Sequence, residues 1–145
     1  MVSYADTSLL VSVYAFEDAA DEARGLLGNL HQPIQLNLLL WLEMRNAIRR
    51  KVPTAKATKA QVTDMLSELD KSAAEGAFEF REIDFRAAFD RAEDLSVRFT
   101  AKLNSRAFDL LHVAIALETD CREFLTFDRD QAKVAKAVGL TVKSN

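Results

Sequence analysis

A single cysteine, Cys121, leaves the chain without an internal disulfide and without the thiolate cluster of a structural zinc site. Such sparing cysteine use suits a reducing compartment, so a cytoplasmic protein is expected. Long apolar runs are absent as well. The stretch Leu38 to Leu42 is stopped by Glu43, far short of a membrane span. No basic leader precedes the apolar Val2–Ala5 segment, so no signal peptide is expected either. Only two prolines and four glycines punctuate the 145 residues, and no repeat, low-complexity tract or linker divides them. Positive charge is not in excess: the net charge of −3 argues against a protein that grips nucleic acid over its whole surface.

What is present is ordinary globular material. Hydrophobic residues make up 49% of the chain, enough for a core, and the length suits one domain spanning residues 1–145. One local feature departs from the acidic average. Arg45, Arg49, Arg50 and Lys51 follow one another with no acid between them. They read either as cations matched to a helix C-terminus or as a patch for a phosphate backbone.

Periodicity predicts an alternation of strands and helices. Val2 to Ala5 reads as a short buried strand ending in Asp6, with Thr7 and Ser8 offering cap hydroxyls to a following helix. A helix over Asp18–Asn29 places Ala19, Ala23, Leu26, Leu27 and Leu30 on one side. After Pro33 comes an extended Ile34–Asn37 and a helix over Leu38–Lys51. Pro53 then separates it from an amphipathic helix running from Thr54 to about Gly76, and the two should form an antiparallel hairpin. Ala77–Ile83 alternates as a strand does. Phe85–Phe99 is helical, a loop covers Thr100–Asn104, and Ser105–Leu117 is an apolar helix. A strand at Glu123–Phe127, a helix over Asp128–Val138 stopped by Gly139 and a strand at Leu140–Val142 complete the chain. Short apolar strands separated by helices imply an α/β domain: a central parallel sheet of about four to five strands, flanked by helices on both faces.

Four acids break this pattern. Asp6 follows a strand directly, where open parallel sheets bind their ligands, although capping alone would also place an Asp there. Glu43 has Leu39, Leu40 and Ala47 at its helical contact positions and no cation among them, so it has no local ion pair. Asp109 stands in an apolar helix and is a poor helix former, with Arg106 as its nearest local cation. Asp128 ends a strand and begins a helix, as an N-cap does, and Asp130 competes with it for the same role. Carboxylates gathered from such distant points need raised pKa values or a cation, and hard oxygen donors suit Mg²⁺ or Mn²⁺. Ions of that kind activate water and stabilise the leaving oxygen in phosphodiester hydrolysis.

The same landmarks resemble a known family. A strand followed by Asp6-Thr7-Ser8, the run Leu42-Glu43-Met44-Arg45-Asn46-Ala47-Ile48-Arg49-Arg50, the run Arg106-Ala107-Phe108-Asp109-Leu110-Leu111-His112-Val113-Ala114, and Phe124-Leu125-Thr126-Phe127-Asp128-Arg129-Asp130 before Val138-Gly139-Leu140-Thr141-Val142 are similar to the motifs of PIN-domain proteins. The size suggests the VapC-type toxins of bacterial toxin–antitoxin pairs. The resemblance implies a Mg²⁺-dependent endoribonuclease, with Mn²⁺ able to substitute. It implies a quartet of Asp6, Glu43, Asp109 and Asp128 as catalytic and metal-holding residues, and a small cognate antitoxin that covers the site. Homodimers are usual in such proteins, and no membrane is involved. On this reading Asp6 and Asp109 form the main metal site and Glu43 and Asp128 complete it. Thr7 orients a phosphate or a water, Thr126 matches the residue before the last acid, and Arg106 contacts RNA or holds Asp109.

Other readings compete. Haloacid-dehalogenase-like phosphatases need an Asp where Ser8 stands, and a topoisomerase-primase site built on Asp128 and Asp130 needs its Glu after a strand. A non-catalytic α/β protein- or RNA-binding module with a degenerate nuclease fold would leave the acids as caps and surface charges. His112 reads as a packed helix residue and His31 as a loop residue, too isolated for zinc. Trp41 and the nine phenylalanines read as core or interface.

Overall fold

Strands form where apolar residues run together between turn signals, and helices form where they recur at 3.6-residue spacing. The computed structural model describes residues 2–15, 17–30 and 33–143, so the loop expected at His31 lies outside the described residues. Its elements are β1 (Tyr4–Ala5), α1 (Thr7–Tyr14), α2 (Ala20–Gly28), β2 (Ile34–Leu36), α3 (Leu38–Arg49), α4 (Lys59–Ala74), β3 (Phe78–Phe80), α5 (Phe85–Leu103), α6 (Ala107–Glu118), β4 (Glu123–Leu125), α7 (Arg129–Ala137) and β5 (Thr141–Lys143).

The strands pair in parallel throughout, in the order β1-β4-β5 in one set and β2-β3 in the other. A parallel bridge between Ser3 and Ile34 joins the sets, with the Ser3 amide donating to Pro33 O at 2.9 Å and the Gln35 amide to Ser3 O at 2.8 Å. The order across the sheet is therefore β3-β2-β1-β4-β5. Consecutive residues Ile34, Gln35 and Leu36 point to alternate faces and all are buried, so helices cover both faces of the centre. The edge strands β3 and β5 are partly exposed.

This order contains a switch. From β1 the chain runs through α1 and α2 to β2, its neighbour on one side, and on through α3 and α4 to β3. It then returns through α5 and α6 to β4, on the other side of β1. Loops leaving the carboxyl ends of β1 and β4 thus diverge and open a crevice between them.

Local chemistry sets the helix boundaries. Asn37 caps α3 by accepting from the Leu40 amide, and Thr58 with Gln61 forms a capping box on α4. The turn at 50–57 sends the chain back along α3, so that Asp70 late in α4 meets Arg45 at 2.5 Å. Several boundaries differ from expectation: α4 begins at Lys59 rather than Thr54, and β3 and β4 are shorter than the expected strands at Ala77–Ile83 and Glu123–Phe127. α5 continues through Thr100 to Leu103, because Phe99 and Leu103 recur at helical spacing and both pack on the core; Asn104 then ends it in the left-handed conformation (φ 49°). α6 begins at Ala107, later than the expected Ser105, which puts Asp109 in its first turn.

Candidate active site

Four segments meet at the switch point. Asp6 leaves β1, Glu43 lies in α3, Asp109 opens α6 and Asp128 leaves β4, and all four line one cleft of about 620 Å³. Asp130 does not line it. That residue faces an adjoining cleft of about 300 Å³, lies 3.7 Å from Lys133 and leaves the central place to Asp128.

Each acid is held differently. Asp6 occupies the N-cap position of α1 but caps nothing with its side chain, so capping does not account for it. It is 8% exposed, and its carboxylate accepts from the Ser8 hydroxyl at 2.7 Å. Asp128 does cap: one oxygen accepts from the Asp130 and Gln131 amides, both at 2.9 Å. Its other oxygen takes no hydrogen bond among the described residues. Asp109 is half-buried in the first turn of α6, where the helix dipole favours an anion, so it is less anomalous in that helix than its sequence neighbours suggest.

Glu43 has a partner that the sequence did not disclose. His112 Nε2 lies 2.7 Å from Glu43 Oε1. Far from being only a packed helix residue, the fully buried imidazole bonds at both nitrogens, with Tyr4 Oη 2.6 Å from Nδ1. Two signals pointed to this. A buried ring nitrogen needs a partner, and His112 follows Asp109 at a spacing that shares one helix face.

Mutual proximity is visible in the electrostatics. Burial pushes the Asp109 carboxyl above its ordinary range, and the nearby Asp6 and Asp128 charges raise it further; His112 when protonated, and Arg106, pull the other way. Arg106 forms no ion pair with Asp109 within 4.0 Å among the described residues, so it does not hold that carboxylate directly. It lines the cleft with Arg50 and Lys56, neither of which has an ion-pair partner among the described residues. Two other members of the basic run are engaged: Lys51 pairs with Glu17 at 3.3 Å, and Arg45 with Asp70 while lying over Trp41.

The donor set fits a hard divalent cation. Every candidate ligand is an oxygen, burial and the nearby Asp6 and Asp128 charges raise the Asp109 carboxyl, and the Thr7 hydroxyl at the cleft is buried with no hydrogen-bond partner. The set is open: among the described residues no three His, Cys, Asp or Glu side chains are drawn tightly enough to enclose an ion.

A family model described as the PIN domain matches residues 3–137. No curated protein sequence matches. Among solved structures the chain is similar to VapBC2 from Rickettsia felis bound to a DNA fragment from their promoter, with a TM-score of 0.67 and 14% identity over 100% of this chain and 99% of that one. It is similar to a toxin–antitoxin complex from Klebsiella pneumoniae (TM-score 0.61, 17% identity, 90% of each chain). PAE2754 from Pyrobaculum aerophilum is similar too (TM-score 0.54, 15% identity, 97% of this chain and 89% of that one). At these identities the likeness establishes the fold.

Proposed function

Because the chain belongs to the PIN domain family, we propose that it is a divalent-metal-dependent endoribonuclease, the toxin of a toxin–antitoxin pair, acting as one domain over residues 1–145. The observation that carries this reading is the convergence of Asp6, Glu43, Asp109 and Asp128 on one cleft at the switch point, with the Asp109 carboxyl raised by burial and then by Asp6 and Asp128.

Asp6 and Asp109 would hold the ion, with Glu43 and Asp128 completing its surroundings directly or through water. When bound, a Mg²⁺ ion, or Mn²⁺ in its place, would supply an activated water and neutralise negative charge at the reacting phosphate. The protein's own groups do the rest. Arg50, Lys56 and Arg106 bind the chain of phosphates along the rim. Thr7 offers its unsatisfied hydroxyl to a phosphate oxygen or a water. In-line attack at phosphorus then leaves a 5′-phosphate and a 3′-hydroxyl.

Two of the similar solved structures are toxin–antitoxin complexes, which supports a protein antitoxin as the natural partner. Large apolar side chains stand exposed for such contacts (Leu38, Leu42, Phe80, Phe89, Val97 and Phe108), with Phe89 and Phe108 lining one groove, and a homodimer would use such exposed apolar surface. No described helix is long and apolar enough to cross a membrane, and the proposed place of action is the cytoplasm.

The test is incubation with structured and total RNA in Mg²⁺, with and without EDTA, followed by mapping of the cleaved ends. Asp6→Asn and Asp109→Asn should abolish cleavage; if either cuts as fast as the wild type, the proposal is wrong. The open arrangement of the acids favours one alternative, a binding module with a degenerate nuclease fold. Such a module would gain no thermal stability from Mn²⁺, whereas a working quartet gains it by mass action.

A further inference from the structure

A chain of buried polar side chains runs from the middle of the sheet to Glu43, and its hydrogen-bond polarity can be assigned from one end. Asn37 Oδ1 accepts from the Leu40 amide at 2.9 Å, as the cap of α3. Because a backbone N–H can only donate, the Asn37 oxygen must face it, and the side-chain orientation is settled. The Nδ2 group therefore points the other way, donating to Gln35 Oε1 at 2.9 Å and, at a longer 3.5 Å, to Tyr4 Oη. Gln35 continues the pattern, donating from Nε2 to Thr119 Oγ1 at 2.9 Å.

With its oxygen facing a donor, Tyr4 must spend its own hydrogen elsewhere. Its ring is fully buried and stacked on Phe124, with centroids 5.6 Å apart and planes 5° from parallel, so it cannot swing away to find water. The acceptor within reach is His112 Nδ1 at 2.6 Å. Nδ1 then carries no hydrogen, and the ring hydrogen sits on Nε2, directed at Glu43 Oε1 2.7 Å away. This tautomer is an assignment from the network.

We propose that His112 is a positioning residue: fixed in its Nε2–H tautomer by Asn37 and Tyr4, it holds one oxygen of Glu43 and presents the other to the cleft. The inference rests on the metal-binding reading of that cleft. The helical neighbours of Glu43 on α3 are Leu39, Leu40, Asn46 and Ala47, and Asn46 makes no hydrogen bond to it among the described residues, so His112 is the donor that holds the carboxylate. A half-buried carboxylate without that donor would sample several rotamers or turn outward to water. Contacts of this kind behind a metal ligand change affinity by roughly 10–100-fold when removed.

The alternative is that the Glu43–His112 bond only ties α3 to α6. Two measurements separate these roles. With two histidines in the sequence, a ¹⁵N-histidine spectrum is simple, and His112→Gln identifies its signal by loss. The wild-type ring should show hydrogen on Nε2, and Tyr4→Phe, which keeps the packing but removes the hydroxyl, should mix the tautomers. An Nδ1–H ring in the wild type overturns the proposal.

The second measurement is the Mn²⁺ concentration that half-raises the melting temperature. It should move up roughly 10–100-fold in His112→Leu and in Tyr4→Phe, and return to within a few-fold of wild type in His112→Gln, whose amide nitrogen can donate from the place of Nε2. Tyr4→Phe serves if His112→Leu does not fold. A Mn²⁺ response of wild-type strength in Tyr4→Phe or His112→Leu overturns this inference alone. No response in the wild type overturns the metal reading and this inference with it.

Discussion

The Thr126 hydroxyl donates to Gln131 Oε1 at 2.7 Å, and both residues are buried beneath the cleft. The same hydroxyl accepts from the Asp128 amide at 3.0 Å, while Gln131 Nε2 donates to Asp109 O at 3.3 Å. One buried pair thus ties the end of β4, the start of α7 and the first turn of α6. Thr126→Val keeps the shape but leaves the Asp128 amide and the buried Gln131 carbonyl without their partner. Urea unfolding should show a loss of about 1–3 kcal/mol at an unchanged slope. Cleavage should fall too, because two acids lose their common anchor. A stability change within error would show that water replaces the hydroxyl without cost.

Asp109 makes metal-free stability depend on pH. Burial, then Asp6 and Asp128, raise its carboxyl above the ordinary 3.8 in the folded state. Between the unfolded and folded pKa values the folded protein binds more protons, so stability falls as pH rises through that window. Below the unfolded value the group has no effect, and above the folded value the penalty is complete. In EDTA, Asp109→Asn should therefore melt higher than the wild type at neutral pH, with the gap closing in acid. Mn²⁺ should reverse the order, since only the wild type keeps the ligand. A gap that ignores pH would refute this account.

Removal of one carboxylate from the quartet should cut cleavage by about 100-fold or more, the scale of one lost charge contact to a transition state. Asp6 and Asp109 should show it mainly in kcat, read from single-turnover rates at saturating RNA. A pure rise in KM would assign them to substrate binding instead.

The rim cations should act on binding. For each of Arg50→Ala, Lys56→Ala and Arg106→Ala, KM should rise, and the slope of log affinity against log salt should shrink by about 0.7 per lost phosphate contact on single-stranded RNA. An unchanged slope would remove that residue from the RNA path.

A control separates stability from function. Thr58→Ala removes the capping box of α4 and should cost about 1 kcal/mol in unfolding experiments. It lies outside the acid cleft, so cleavage by the folded fraction should match wild type.

Element type was legible from periodicity alone. Helical spacing at Val62, Met65, Leu66 and Leu69, alternation around Phe78 and Phe80, and the Gly139 stop are local signals, and local sterics answer to them. Boundaries were read less well. Thr100–Asn104 looked like a loop because it is polar, yet most of it is helix, since Phe99 and Leu103 bury against a core that only the folded chain creates. The candidate acids could be picked out as residues at odds with their surroundings.

Which of those conflicts mattered was decided by tertiary structure. Asp6 and Asp128 both stand between a strand and a helix, but only Asp128 caps with its side chain. Asp109 stands among apolar residues in sequence, yet it sits in a first helical turn that tolerates it. Glu43 had no local partner because its partner, His112, is 69 residues away in sequence and 2.7 Å away in space. Propensity and spacing govern contacts within a few residues; pairing of strands around a switch point governs those between distant ones. The amino-acid pattern determined the elements and nominated the acids, while the sheet order brought the acids to one cleft and set a buried imidazole behind one of them.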